Sequence, residues 1–259
     1  MVDNDYNTKS ITDAINRIFS IQWNLIPTQL NSDFKLHIEN YRHFLPKIVS
    51  RYQIYSIIPN NQTFVDQNVE LLVEDGALRK FILHEHDDLN DLLMKKEDYD
   101  EYIQLLMRMF HNDDVCVKAF KGLQKFQSEN LKVVKFSKDQ ISPSFITEEG
   151  LQRLIGLDLL EILPQSSSNK STLKLSHPKY GYIINLYQKS KNFILKTISR
   201  NKWKEIKHNE LYEKWESNKS KFKDFKGLNL YWILHWLIGE GILEIFKISD
   251  GTGYKIIRQ

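Results

Sequence analysis

The 259-residue chain is 41% hydrophobic and 27% charged, close to the composition of an ordinary globular protein. This excludes a mostly disordered or collagen-like chain, and no apolar run approaches the ~18 residues that a membrane-spanning helix needs. The first ten residues are polar and acidic, so we expect no secretory signal. The single cysteine, Cys116, excludes an internal disulfide and a cysteine-based zinc site, and it favours a reducing compartment, the cytosol or nucleus.

The net charge of +3 hides a strong asymmetry along the chain. Residues 1–130 carry a net charge of −6, whereas residues 131–259 carry +9. Residues 178–230 alone hold thirteen Lys and Arg against five Asp and Glu. This pattern favours a polyanionic partner, with a solvated lysine-rich face as the alternative. Because 28 of the 36 basic residues are Lys, we expect contacts to the phosphate backbone and little sequence preference.

The first predicted element is a short amphipathic helix over residues 11–21, which Ser10 could cap. Residues 23–33 are expected to be irregular. Pro46 favours the start of the next helix, which Pro59 ends.

A second helix and a hairpin follow directly and complete the first block. Thr63 is a good N-cap for this helix, and Gly76 is its expected stop. Two apolar stretches, 78–83 and 91–94, then read as paired strands around a polar tip. A helix, a turn, a helix and a hairpin are typical of a winged helix.

The same order of elements is predicted twice more, without an obvious sequence repeat. In the second block the elements are helices over 115–129 and from Glu148, which Thr147 caps, and strands over 159–163 and 172–175. In the third block they are helices over 180–199, 209–215 and 228–238 and strands over 242–248 and 254–258. We therefore predict an α+β, mostly helical protein of three tandem winged helices with small antiparallel hairpins. The expected boundaries are a tail with a short helix over 1–34 and winged helices over 35–112, 113–176 and 177–259.

Several segments also carry a family resemblance. Leu45 to Ser56 reads Leu-Pro-Lys-Ile-Val-Ser-Arg-Tyr-Gln-Ile-Tyr-Ser and resembles the signature Leu-Pro-x-Ile-Val-x-Arg-x-Gln-aliphatic-Tyr-Ser. Glu97-Asp98-Tyr99, the basic cluster from Arg200 to Glu205 and Leu237-Ile238-Gly239 fall where the family has matching residues. The chain is similar, over about residues 35–259, to the nuclear proteins named serine/threonine-protein kinase 19.

This resemblance implies tandem winged helices, binding to double-stranded DNA and a nuclear location. It also implies a role in transcription-coupled nucleotide excision repair, with stalled RNA polymerase II and repair factors as partners. RNA and a second copy of the chain stay open as further partners, and no membrane association is expected. A winged-helix scaffold that contacts only proteins is the alternative function.

The word kinase in the family name does not match the motifs of this chain. No Gly-x-Gly-x-x-Gly, Gly-x-x-x-x-Gly-Lys-Ser/Thr or His-Arg-Asp occurs, and Asp224-Phe225-Lys226 lacks the final glycine of Asp-Phe-Gly. We therefore expect no enzymatic activity, no catalytic residue and no cofactor. The cluster His84-Glu85-His86-Asp87-Asp88 contains metal-ligand types, but a solvated acidic loop is the favoured interpretation, and no metal site is predicted.

The predicted DNA-binding residues lie at the end of the long third-block helix and in the turn after it. They are Lys189, Lys191, Lys196, Arg200, Lys202 and Lys204. Trp203 within this cluster could pack under lysine stems or stack on a nucleotide. The second block offers the next candidates, which are Lys132, Lys135, Lys138, Lys170 and Lys174. Core packing is predicted for Trp232 and Trp236, and a buried structural thiol for Cys116.

Overall fold

The computed structural model describes residues 11–83, 91–163, 172–249 and 251–258, and in this part the chain is mostly helical with three small three-stranded sheets. The described helices are α1 (Ile11–Ser20), α2 (Ser32–His43), α3 (Arg51–Ile57), α4 (Gln62–Glu74), α5 (Lys96–Met109), α6 (Asp114–Glu129), α7 (Lys138–Ile141), α8 (Glu148–Gly156), α9 (Tyr180–Ser199), α10 (His208–Glu216), α11 (Ser220–Lys223) and α12 (Leu230–Gly239). The described strands are β1 (Ile48–Ser50), β2 (Leu78–Ile82), β3 (Asp91–Lys95), β4 (Lys135–Ser137), β5 (Leu160–Leu163), β6 (Thr172–Leu175), β7 (Glu205–Lys207), β8 (Leu243–Ile248) and β9 (Gly251–Ile256). The predicted α+β, mostly helical class is confirmed.

The three sheets share one topology. Their strand orders are β1-β3-β2, β4-β6-β5 and β7-β9-β8, so the last strand of each block lies in the middle of its sheet. In each block the first strand leads directly into a helix, and the antiparallel hairpin follows the last helix. All three predicted hairpins are confirmed to within a few residues, while the first strand of each sheet was not predicted.

The helix before each hairpin ends in the same way. A residue in the left-handed region follows α4, α8 and α12, with φ of 72° at Gly76, 56° at Asp158 and 71° at Gly241. After α4, the Gly76 N–H donates to the Val73 carbonyl and the Ala77 N–H to the Leu72 carbonyl, which is the Schellman arrangement. Each hairpin strand then begins two residues after the left-handed residue. The predicted stop at Gly76 is therefore confirmed.

The helix predicted from Pro46 is wrong over its first turn. Residues 48–50 form β1, and α3 begins only at Arg51. Ser50 explains this start because its hydroxyl accepts from the Tyr52 N–H, while its own N–H donates to Gln53 Oε1 at 3.0 Å. A local capping box thus fixes the helix start five residues beyond Pro46.

Two further expectations need correction. Helix α4 begins at Gln62, so Thr63 is its second residue and not its N-cap. The region expected to be irregular contains the start of α2 at Ser32, which Asn31 caps by accepting from the Asp33 N–H. Helix α5, over Lys96–Met109, was not predicted either.

The described residues form two compact units, each with its own core. The first comprises residues from 11–45, 49–65 and 181–258, and its core includes Trp215, Trp232 and Tyr254, all 0% exposed. Trp236 is 2% exposed, so core packing of both predicted tryptophans is confirmed. The second unit comprises residues from 46–48 and 66–180, with Phe120 among its fully buried side chains. The three domain boundaries inferred from the sequence stay predictions.

The predicted cap at Thr147 is confirmed and gives a test of the fold. Thr147 Oγ1 accepts from the Gly150 N–H at 3.2 Å and satisfies a donor in the first turn of α8. Thr147→Ala should lower the free energy of unfolding by about 1 kcal/mol, whereas Thr147→Ser, which keeps the hydroxyl, should stay within a few tenths of that of the wild type. Urea denaturation measures both values, and equal stabilities for the two variants would contradict the role of this cap.

Candidate nucleic-acid interface

Helix α9 separates a buried apolar face from an exposed face that carries two cations. Lys189 and Lys196 are seven residues apart, which places them on the same side of the helix, and both are exposed. The buried side packs into the core through Ile183, Leu186, Ile194 and Ile198. The apolar spacing of the sequence therefore fixes the direction in which these two lysines point.

Lys191 is separated from the other predicted residues. It lies about 200° around the helix from Lys189, on the core side, and its side chain is only 18% exposed. Its Nζ lies 3.1 Å from Glu240 Oε1, and Glu240 also accepts a hydrogen bond from the Tyr187 hydroxyl. Burial raises the pKa of Tyr187, so this hydroxyl keeps its proton and donates. Lys191 thus ties α9 to the end of α12, and its charge is already compensated.

The turn after α9 presents three more cations on a defined backbone. Arg200, Lys202 and Lys204 are all exposed. Asn201 holds the turn because its Nδ2 donates to the Glu205 carbonyl at 2.7 Å and its carbonyl accepts from the Lys204 N–H. Lys204 has a φ of 53°, a conformation that a non-glycine residue adopts only when surrounding contacts hold it.

The side chain of Trp203 points into solvent from the same turn and is 70% exposed. Lys202 Nζ lies 5.1 Å from the centroid of the indole ring, within the range of a cation–π contact. The turn therefore presents one aromatic ring together with three positive charges.

Ion pairs compensate two other cations of the basic stretch and one cation of the C-terminal strand. Glu210 pairs with Lys214 at 2.6 Å, Glu216 with Lys221 at 2.5 Å, and Glu205 with Lys255 at 3.0 Å. Within residues 11–83, 91–163, 172–249 and 251–258, five of the predicted cations form no ion pair. These five free cations are Lys189, Lys196, Arg200, Lys202 and Lys204. Three of the five acids of the basic stretch thus pair with other lysines, and the end of α9 and its turn stay positive.

A further cation, which was not predicted, lies next to this turn. The Ile256 N–H donates to the Lys204 carbonyl at 3.1 Å, so the C-terminal strand runs beside the turn. Arg258 follows two residues later and is exposed. Only the pairing of β7 with β9 reveals this neighbour, because the two segments are more than fifty residues apart in the chain.

The lysines of the second block, which the sequence offered as the next candidates for DNA binding, are mostly neutralised. Lys132 pairs with Glu74, Lys138 lies 2.6 Å from Glu148, and Lys174 is buried and lies 3.0 Å from Glu161. Lys135 is half-buried, and Lys170 lies outside the described residues. This group offers far less free positive charge than the end of α9.

The other candidate clusters carry no visible chemistry. The His84–Asp88 cluster lies outside the described residues, and no group of metal-ligating side chains occurs in the part of the chain that is described. Cys116 is buried as predicted; burial, followed by the neighbouring Asp113, raises the pKa of its thiol, which opposes thiolate formation. His208 bonds the hydroxyls of Tyr254 and Tyr231 with its two ring nitrogens, and burial lowers its pKa.

These observations define a protein of recurrent helix-and-hairpin blocks with a free basic surface at one helix end. The family model described as inactive serine-threonine protein kinase 19 matches residues 20–256, and the chain belongs to this family. The resemblance inferred from the sequence is thereby confirmed, and the description as inactive agrees with the missing kinase motifs. No curated protein matches the chain. In the described residues no helix is both long and apolar enough to span a membrane.

Proposed function

We propose that the chain is a non-enzymatic adaptor, built of three tandem winged helices, that binds double-stranded DNA. The observation that carries this proposal is the group of five free cations at the end of α9 and in its turn. The nuclear location, the role in transcription-coupled nucleotide excision repair and the partners, RNA polymerase II and repair factors, rest on the family resemblance alone.

The order of elements supports the winged-helix part of the proposal. In the second block α6 precedes β4, which is followed by α7, α8 and the hairpin of β5 and β6. The third block repeats this order from α9 through β7, α10 and α12 to β8 and β9, with α11 inserted. A first helix, a short strand, two helices and a hairpin whose last strand is central are the parts of a winged helix.

Burial of α12 favours contact with phosphates over reading of bases. Seven of its ten residues are buried, and none is exposed, so this helix cannot enter a DNA groove. The free cations lie instead on α9 and its turn, and four of the five are lysines. Such point charges neutralise phosphates but carry little sequence information.

A duplex titration at several salt concentrations tests the proposal. Log affinity should fall linearly with log salt concentration, with a slope of about −0.9 for each phosphate neutralised and four to six phosphates in total. Affinity should vary little between duplexes of different sequence. Fluorescence anisotropy measures both, and affinity that does not respond to salt would contradict the proposal.

Exposed apolar side chains favour a second candidate, a scaffold that contacts only proteins. Leu25 is 94% exposed, Met109 65% and Phe44 60%. Scattered exposed apolar residues are common in soluble proteins, which is why this candidate ranks second. The same titration separates the two, because a pure scaffold has no salt-dependent affinity for a plain duplex.

A further inference from the structure

We infer that the turn over residues 200–204 recognises the junction between single-stranded and double-stranded DNA, where the Trp203 indole stacks on an unpaired base. This inference rests on the proposed DNA binding and adds a preferred DNA structure to it. The ligand of the ring is an unpaired base, which the interior of an intact duplex does not offer.

The exposure of the Trp203 indole is the first observation behind this inference. The side chain is 70% exposed, whereas Trp215, Trp232 and Trp236 are at most 2% exposed. Among the described residues no other aromatic ring stacks on Trp203, and the one ring contact present is the cation–π contact with Lys202. Stacking a large flat apolar surface on another flat surface is favourable in water, and a nucleobase provides such a surface.

The rigidity of the turn is the second observation. The Asn201 side chain and the backbone bond from Ile256 to Lys204 fix the turn from two sides. The left-handed Lys204 costs free energy that these contacts must offset. Since the ring is presented by an already ordered backbone, binding orders little additional chain, which favours affinity.

The arrangement of charge around the ring points to DNA and to a junction. The indole of Trp203 is flanked in the sequence by three cations, Arg200, Lys202 and Lys204. Proteins usually bind unpaired nucleotides with a positive surface that carries an aromatic ring. Lys196 and Lys189 continue from the turn along α9 and are separated by about 10 Å along its axis. These two lysines fit the backbone of the adjoining duplex, while the ring needs a base face that pairing and stacking do not hide.

The experiment compares three fluorescein-labelled DNAs with the full chain. The first is a forked duplex, and the second is the same fork with abasic sites at the unpaired positions beside the junction. The third is a blunt duplex with the same number of phosphates. The abasic fork keeps the charge and the shape but removes the bases. The wild type should bind the intact fork about 10-fold more tightly than the abasic fork.

Three variants assign this preference to the ring. Trp203→Ala should abolish the 10-fold preference but leave the affinity for the abasic fork nearly unchanged, and Trp203→Phe should restore part of it. The matched control is Tyr182→Ala, which removes an aromatic side chain 56% exposed at the other end of α9 and should keep the full preference. Melting curves check that each variant is folded.

The outcomes separate the inference from the proposed function. Equal affinity of the wild type for the two forks, with normal salt dependence, would contradict recognition of the junction but would still agree with the proposed DNA binding. Loss of affinity for all three DNAs in a folded Trp203→Ala variant would also overturn it, because the ring would then support the turn and not stack. Salt-independent or absent binding to every DNA would overturn both. A forked RNA of the same sequence, with and without bases beside the junction, is the fourth comparison, and an equal preference for its intact form would contradict a DNA-specific junction.

Discussion

Glutamate substitution at all five free cations should lower the affinity for duplex DNA about 10³-fold at 0.1 M salt and bring the salt slope close to zero. These residues are Lys189, Lys196, Arg200, Lys202 and Lys204. Each removed cation eliminates one phosphate contact, which should reduce the magnitude of the salt slope by about one. Each new carboxylate also repels the DNA backbone. The fold should persist, because exposed substitutions usually change stability by only about 0.5 kcal/mol.

The matched control is a variant with the same change in net charge elsewhere in the chain. Glutamate at Lys95, Lys96, Lys118, Lys121 and Lys125 meets this condition, and acids such as Asp98 and Asp100 already make the region around Lys95 and Lys96 unattractive to phosphate. This control should keep most of the affinity. Normal binding by the first variant, with an unchanged melting curve, would show that the site lies elsewhere.

Lys191→Glu separates binding from stability at the remaining predicted residue. Lys191 is paired with Glu240 and largely buried. A carboxylate at position 191 would therefore face the Glu240 carboxylate and have no cation to pair with. The substitution should lower the melting temperature while the affinity of the folded protein for duplex DNA stays close to that of the wild type. Anisotropy below the melting temperature provides the check, and a large loss of affinity there would return Lys191 to the DNA-binding set.

The sequence predicted the hairpins and long helices because their signals are local and extended. Helix α9 was predicted with its observed bounds, since its apolar residues recur over five turns. The strands β1, β4 and β7 have three residues each, too short for any periodicity to show. A usable signal was nevertheless present, because β1 and β4 both end at a serine that caps the next helix together with a glutamine three residues later.

The candidate site could be predicted only in part, because charge compensation depends on contacts between distant residues. The sequence located the basic stretch, but Lys191 and Glu240 are 49 positions apart, and nothing local marks them as partners. The same holds for Glu205 and Lys255, which β7 and β9 bring together. Which cations remain free for a polyanion is therefore a property of the folded chain.

Gly239→Ala should be the most destabilising single methyl addition among the described glycines of the first compact unit. A Cβ at Gly239 would lie 1.7 Å from the Tyr52 carbonyl oxygen and 2.5 Å from its carbonyl carbon. Helices α12 and α3 are further joined there by bonds from Gln53 Nε2 to the Trp232 carbonyl and between Ser56 and His235. Because the obstacle is backbone, which cannot rotate away as a side chain can, the two helices must separate, at a cost of about 3 kcal/mol.

Gly181→Ala is the matched control for this prediction, as it lies in the same unit, near the start of α9. A Cβ at Gly181 meets nothing within 4 Å, so the methyl group should leave stability unchanged or raise it by up to about 1 kcal/mol through helix propensity. Urea denaturation of both variants gives the free energies of unfolding. If Gly239→Ala unfolds at the same urea concentration as the wild type, the backbones of α3 and α12 do not approach as closely as this contact requires. A loss near 3 kcal/mol together with an unchanged salt slope for DNA would instead show that this contact supports the fold and takes no part in the basic surface.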